Sequence, residues 1–419
     1  MSTAQRTASL RYDATTSTVA PVKSTRERLL SLDVFRGLTI AGMLLVNDPG
    51  TWSAIFPPLE HAEWNGWTPT DLIFPFFLFI VGITTHLSMS ARRARGDDDS
   101  ALVKQILRRG IIIYLLGFAM AMMPFYQWGT IESIPNPTAW DRILFRIEHV
   151  RLLGVLPRIG IVYICAGLIT LKTTLRQQII IIASLLFGYW FAMTLLPVPG
   201  EGGAIGAQLL HTKDRNLAAY LDRLILTTNH TWVGSVTFDP EGPLSTIPAI
   251  ATAMLGVIAG RWIAMTEKPL LERITGMFAV GSLAMVVGLM WNWSFPINKS
   301  LWTSSYVMFT AGMACVAIAT IMWLVDYLNV KWWTKPLVVY GVNPIVAFVG
   351  SGVMARLIYT LWHVNYGGQS VSIQSAIYQA LFLPWLPPRV ASLAFAIAFV
   401  LLWYGILLVL YRRKIFLKV

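Results

Sequence analysis

The chain has 419 residues, of which 55% are hydrophobic and only 13% charged, with 17 tryptophans and a net charge of +12. That composition lies outside the range of soluble globular proteins and places the chain in a membrane. The surplus of Lys and Arg does not describe a nucleic-acid face, because it falls in short segments between apolar runs, the pattern by which membrane proteins fix their sidedness.

Residues 1–29 are polar, rich in Ser and Thr, and carry Arg6, Arg11, Lys23, Arg26 and Arg28 without an apolar run. They are expected to form a disordered cytoplasmic tail, not a signal peptide. Runs long enough to cross a bilayer follow at 30–47, 70–90, 106–124, 152–171, 177–196, 244–263, 270–291, 301–325, 336–357 and 389–411. The stretch 371–386 is shorter, contains Gln374 and Gln379, and ends at Pro384 and the Pro387-Pro388 pair. With ten spans, both termini share a side that collects roughly 22 Lys and Arg against about 8 on the other. An eleventh span would send Arg412, Arg413, Lys414 and Lys418 outward, so 371–386 reads as interfacial or re-entrant.

The expectation is an all-α polytopic membrane protein of ten transmembrane helices plus that one segment, forming a single domain over 30–419. Both termini are expected in the cytoplasm of a bacterial inner membrane. The loops 48–69, 125–151 and 197–243 then fall on the non-cytoplasmic side, and Arg215–Leu226 alternates at helical spacing as a segment lying on the membrane surface would. No internal repeat is visible. Cys165 and Cys315 lie within apolar runs and read as small buried hydrophobes, and no metal-ligand spacing or phosphate-binding loop is present.

Polar residues inside or at the ends of the spans carry the functional information. Asp33 and Arg36 are three apart near the inner end of the first span, where they can neutralise each other or offer a guanidinium to the phosphates of a nucleotide ligand. Arg158, about two turns inside the fourth span, needs a cavity or a partner, because an unpaired guanidinium in hydrocarbon costs several kcal/mol. Asn343 in Gly341-Val-Asn-Pro344 breaks the ninth span and is a second cavity-lining candidate. Asn47 ends the first span, Asp71 opens the second after Thr68-Pro69-Thr70, and a loop of about 22 residues tethers His61 near both. Pro75 would open the second helix locally, which a membrane tolerates only where protein or water receives the freed backbone group. Trp64, Asn65, Asp239, Glu241, Asn298, Lys299 and Trp302 gather at the same outer loop mouths, a mixture suited to carbohydrate, although turn formation and an aromatic belt account for several of them individually.

Taken together, RLLSLDVFRGLTIAGMLLVN (28–47), HAEWNGWTPTDLIFPFFLFIVG (61–82), GVLPRIGIVY (154–163), FDPEGPLSTIPAI (238–250), PINKSLWTSSYV (296–307) and VVYGVNPIVAFVG (338–350) resemble the heparan-alpha-glucosaminide N-acetyltransferase family of transmembrane acyltransferases. The resemblance implies transfer of an acetyl group from cytoplasmic acetyl-CoA, as co-substrate, to an amino sugar or related glycan across the membrane, by a homodimer that needs no metal. It assigns the catalytic role to His61, with Asn47 assisting. In chemical terms His61 would act as general base or, by the alternative route, carry the acetyl group covalently, with Asn47 as oxyanion donor, Asp71 or Glu63 as the group that orients the imidazole, and Arg36 holding the nucleotide phosphates. A secondary transporter of a small polar solute, with Arg158 and Asn343 lining its path, is the alternative.

Overall fold

A computed structural model describes residues 29–417, so all of the tail read at 1–29 except Leu29 lies outside the described residues. Helix α1 (Leu30–Asn47) is followed by a 3-10 turn (Pro69–Leu72) that runs directly into α2 (Ile73–Arg93). Helix α3 (Asp99–Met122) begins ahead of the expected 106, because the Asp98 side chain accepts the Ala101 N–H and caps an extra polar stretch of helix. An amphipathic α4 (Ala139–Glu148) leads to α5 (Val155–Lys172), and a two-residue link joins α5 to α6 (Leu175–Leu195). Two short helices, α7 (Gly206–Leu209) and α8 (Leu217–Ile225), precede α9 (Pro243–Ile263), α10 (Leu270–Trp291) and α11 (Ser304–Ile321), the last extended to Tyr327 by wider turns.

The ninth expected span is two helices, α12 (Thr334–Val342) and α13 (Pro344–Arg356), the second continuing to Leu361. The break falls at Asn343, whose φ of −127° and ψ of 53° are not helical. Residues 363–372 form a hairpin of β1 (His363–Tyr366) and β2 (Gln369–Ser372), turned by Gly367 and Gly368 at φ of 60° and 81°, values that favour glycine at both corners. A short α14 (Ile373–Ile377) and α15 (Pro388–Arg412) complete the chain.

Among the described residues ten helices are long and apolar enough to cross a membrane, as the hydropathy predicts. The segment 371–386 is not among them. It folds over the end of the bundle, with Gln374 Nε2 donating to the Gly50 carbonyl at 2.5 Å and the Tyr378 hydroxyl to the Pro388 carbonyl at 3.2 Å. Outward positions of α10, among them Val280, Leu283, Val286 and Met290, are exposed and apolar, as a lipid-facing helix requires. The surface reading of 215–226 holds for one face of α8 only. Leu224 and Ile225 are exposed, while Leu217, Ala218, Ala219 and Asp222 are buried.

Helices α2 and α9 touch backbone to backbone. A Cβ on Gly82 would lie 1.9 Å from the Ala253 carbonyl oxygen, and one on Gly256 would lie 2.1 Å from that of Phe79, so only glycine fits at either contact. All the long connections, 48–68, 123–154, 196–242, 292–303 and 362–387, emerge at one end of the bundle. This loop face holds the Asn47 end of α1, and among the described residues the helices are joined at the opposite face by short links.

Candidate active site

The start of α2 builds the centre of the site. Asp71 follows Pro69, which is well suited to an opening helical turn, and its Oδ2 accepts the Thr68 N–H at 3.0 Å as a helix cap. The same oxygen accepts the Ala62 N–H at 3.0 Å and the Thr68 hydroxyl at 3.2 Å. The other oxygen, Oδ1, stands 2.7 Å from His61 Nδ1. Capping and imidazole orientation, which the sequence offered as alternatives for Asp71, are divided between the two oxygens of one carboxylate. Asp71 thereby fixes the orientation of the imidazole through Nδ1.

Pro75 removes the N–H that would have bonded the Asp71 carbonyl in a helical ladder. The buried Tyr306 hydroxyl replaces it, donating to that carbonyl at 2.5 Å. Protein, not water, receives the freed group, and α2 stays helical from Ile73 onward.

His61 opens into a cavity of about 780 Å³ on the loop face. Its walls include Met43, Val46 and Asn47 of α1, Glu63, Trp64, Phe238, Glu241 and Lys299. Asn47 is exposed there, and the described residues give its side chain no hydrogen bond, so its amide is left to the cavity and the helix C-cap falls to Asp48. Glu63 lines the same wall without bonding the imidazole. Lys299 Nζ lies 3.0 Å from His61 Nδ1, 2.9 Å from Nε2 and 3.7 Å from Asp71 Oδ1. Burial pushes the Lys299 ammonium below its ordinary range, partly offset by Asp71 and Glu241.

Several residues grouped with these by sequence stand behind the cavity wall. Trp302 is 1% exposed, donates Nε1–H to the Thr252 hydroxyl at 3.1 Å, and is a core residue, not part of an aromatic belt or a sugar platform. Asn298 is fully buried and holds its own loop, accepting the Leu301 N–H at 2.9 Å. Asn65 ties that loop to His211, with 3.1 Å to Asn298 and 2.8 Å to the His211 ring. Trp64 faces the cavity and anchors its indole on the Leu210 carbonyl at 2.9 Å.

Arg158 sits in the first turn of α5, at the loop face. It is fully buried, 5.1 Å above the Trp302 ring, and donates to the Ser245 hydroxyl and to the Gly242 carbonyl at 3.3 Å. It braces the start of α9 from behind the wall. Asn343 lines no described cavity. Its amide donates to the Ile415 carbonyl at 3.0 Å and accepts the Leu417 N–H at 3.1 Å, fastening the segment after α15 to the helix break.

The sequence reading missed Arg151. Its Nε and Nη2 grip the two oxygens of Asp239 at 2.8 and 2.5 Å, and Nη2 also pairs with Glu241. Burial alone would disfavour the guanidinium charge, but Glu241 and Asp239 outweigh it and raise its proton affinity. Burial likewise opposes the charge on Glu241, yet Arg151, Arg158 and Lys299 hold it below the usual carboxylate range. Asp239 and Glu241 therefore share one guanidinium, Asp239 through a fork-shaped ion pair and Glu241 at the cavity wall. The clue was present in Asp239-Pro-Glu241, two carboxylates aimed at one buried spot and lacking a local cation.

Asp33 and Arg36 form an ion pair on α1 and border a second cavity of about 370 Å³, at the opposite face, with Thr84, Thr266 and Arg273. The two cavities share no lining residue, and α1 runs from one to the other.

Fold and site together define a ten-span membrane protein that holds a carboxylate-anchored histidine in a cavity at one face and a guanidinium-lined recess at the other. No established family profile matches the chain. It is similar to heparan-alpha-glucosaminide N-acetyltransferase of Homo sapiens, 30% identical over 94% of this chain and 60% of the relative, and to the Mus musculus protein of the same name, 29% identical over 95% and 61%. The resemblance carried by the motifs thus extends over nearly the whole chain. It spans about three fifths of the length of these curated relatives.

Proposed function

We propose that this chain is a transmembrane acetyltransferase that takes an acetyl group from acetyl-CoA on the cytoplasmic side and passes it to an amino sugar or related glycan on the other side. The observation that carries the reading is the His61–Asp71 pair: an imidazole fixed through Nδ1 at the wall of a large cavity, which is also lined by an Asn47 amide with no hydrogen bond among the described residues. The relatives' names support the acyl-transfer class.

In this reading Nε2 of neutral His61 takes a proton from the acceptor amine as its nitrogen attacks the thioester carbonyl. A C–N bond forms, the carbonyl oxygen becomes an oxyanion, and Asn47 donates its amide hydrogens to it. Collapse breaks the C–S bond, and the proton held on Nε2 goes to the departing thiolate. Arg36 and Arg273, at the opposite cavity, supply guanidinium groups suited to the coenzyme's phosphates. The distribution of Lys and Arg supports a cytoplasmic Arg36 end and cytoplasmic termini in a bacterial inner membrane. A homodimer belongs to the same proposal through the family resemblance.

The test is transfer of radiolabelled acetyl from acetyl-CoA to glucosamine-type acceptors in proteoliposomes, with thiol release followed in parallel. His61→Ala is expected to abolish transfer while leaving expression and CoA binding intact. Retained transfer in that variant would falsify the assignment. Movement of solute without consumption of acetyl-CoA would identify a transporter instead.

A further inference from the structure

We propose that Lys299 is a positioning residue that sets the proton state of His61, through an ammonium held against both imidazole nitrogens. The inference rests on the acetyltransferase reading for its functional meaning, but the contact it describes stands on geometry. Lys299 Nζ is 3.0 Å from Nδ1 and 2.9 Å from Nε2, while Asp71 Oδ1 is 2.7 Å from Nδ1 and 3.7 Å from the ammonium.

The lysine is held there by a rigid loop. The Asn292 side chain accepts the Ile297 N–H at 2.7 Å, the Thr303 hydroxyl accepts the Asn298 N–H at 3.1 Å, and Asn298 accepts the Leu301 N–H at 2.9 Å. The Lys299 carbonyl accepts the Trp302 N–H at 3.1 Å, with Trp302 in a left-handed turn at φ 52° and its indole buried. A loop fixed by its own side chains keeps a charge in place better than a solvated lysine does.

Two opposite charges therefore bracket one ring. Asp71 alone favours the imidazolium, which has no lone pair to accept a proton from the acceptor. Lys299 disfavours the imidazolium and offsets Asp71, leaving the carboxylate to orient the ring without saturating it with protons. The remaining charged and titratable groups around them are Glu63, Lys213, Asp214, Arg151 and Glu241 on the cavity wall, with Arg158 and Tyr306 behind it. Arg151 is shared between Asp239 and Glu241, and Glu241 also favours the Lys299 charge. The Lys299 charge also repels an acceptor that arrives as an ammonium and admits its free amine, the form able to attack.

The experiment compares the full-length protein with Lys299→Met and Lys299→Arg. Two readouts are followed against pH: kcat/KM for acetyl transfer, and the rate at which diethyl pyrocarbonate modifies the His61 peptide, measured by mass spectrometry. Removing a like charge makes His61 easier to protonate, so in Lys299→Met both acidic midpoints should move upward by about one pH unit. Lys299→Arg should restore them to within a few tenths. Unmoved midpoints in Lys299→Met, or a loss confined to KM at every pH, overturn the proposal. A modification midpoint that moves while the activity limb stays still keeps the Lys299–His61 coupling and instead removes His61 as the base. Should the Met variant fail to fold, Lys299→Gln carries the same comparison.

Discussion

The Tyr306 hydroxyl donates at 2.5 Å to the Asp71 carbonyl, the backbone oxygen that Pro75 deprives of its helical partner. A side chain on α11 thus completes the first turn of α2 and fixes the residue that orients His61. Tyr306→Phe would leave that buried oxygen unbonded, at a cost of about 1–3 kcal/mol. A lower thermal midpoint in detergent, together with reduced kcat, is the expected outcome. An unchanged midpoint would mean that water enters and takes over the bond.

Asn47 tests the oxyanion role separately from the base. Loss of one oxyanion donor costs typically about 10²–10³ in kcat, with little change in binding. Asn47→Ala is expected to show that fall with KM for both substrates nearly constant. A fall in KM-related terms alone would assign Asn47 to acceptor binding.

Arg36 probes the opposite cavity. Arg36→Ala should weaken CoA at least tenfold by isothermal titration, since one charge-assisted bond to phosphate contributes about 1.5–3 kcal/mol. Unaltered affinity would return the residue to a structural role, its ion pair to Asp33 included.

Asp48 supplies a dependence on pH. Its carboxyl is buried at the end of α1, and burial raises its pKa from 3.8 to about 7. Between those values the folded protein holds a proton that the unfolded chain has released, so this group's contribution to stability is full below about 3.8 and declines as pH rises towards 7. Asp48→Asn removes the ionisable group. Its thermal midpoint should exceed that of the parent most at pH 8, by less at pH 5, and nearly match it only near pH 3.8, and the reverse order would refute the assignment.

The spans were legible in the sequence because length and apolarity are properties of contiguous residues. So was the outer cluster of Asn47, His61 and Asp71, since all three lie on two consecutive helices and the loop between them. Relations between distant segments were not legible. Arg151 and Asp239 are 88 residues apart, and Asn343 and Ile415 are 72 apart, so no local pattern announces either pair. Trp302 followed Asn298-Lys299 as a residue of an interfacial belt does, and only its contacts with Thr252 and Arg158 reveal a core residue. The hairpin at 363–372 does carry a local sign in Gly367-Gly368, but its strands are only four residues each and too short to stand out by alternation.

The glycine contacts between α2 and α9 bear on motion. With Gly82 and Gly256 pressed against facing carbonyls, neither helix can slide or tilt without a collision of main chains. The wall that carries Asp71 is thus the stator of this machine. Helices α1 and α12 are clamped in the same way, Gly37 against the Leu337 carbonyl and Gly341 against that of Asp33, so the two helices that frame the histidine cavity are each pinned to a neighbour.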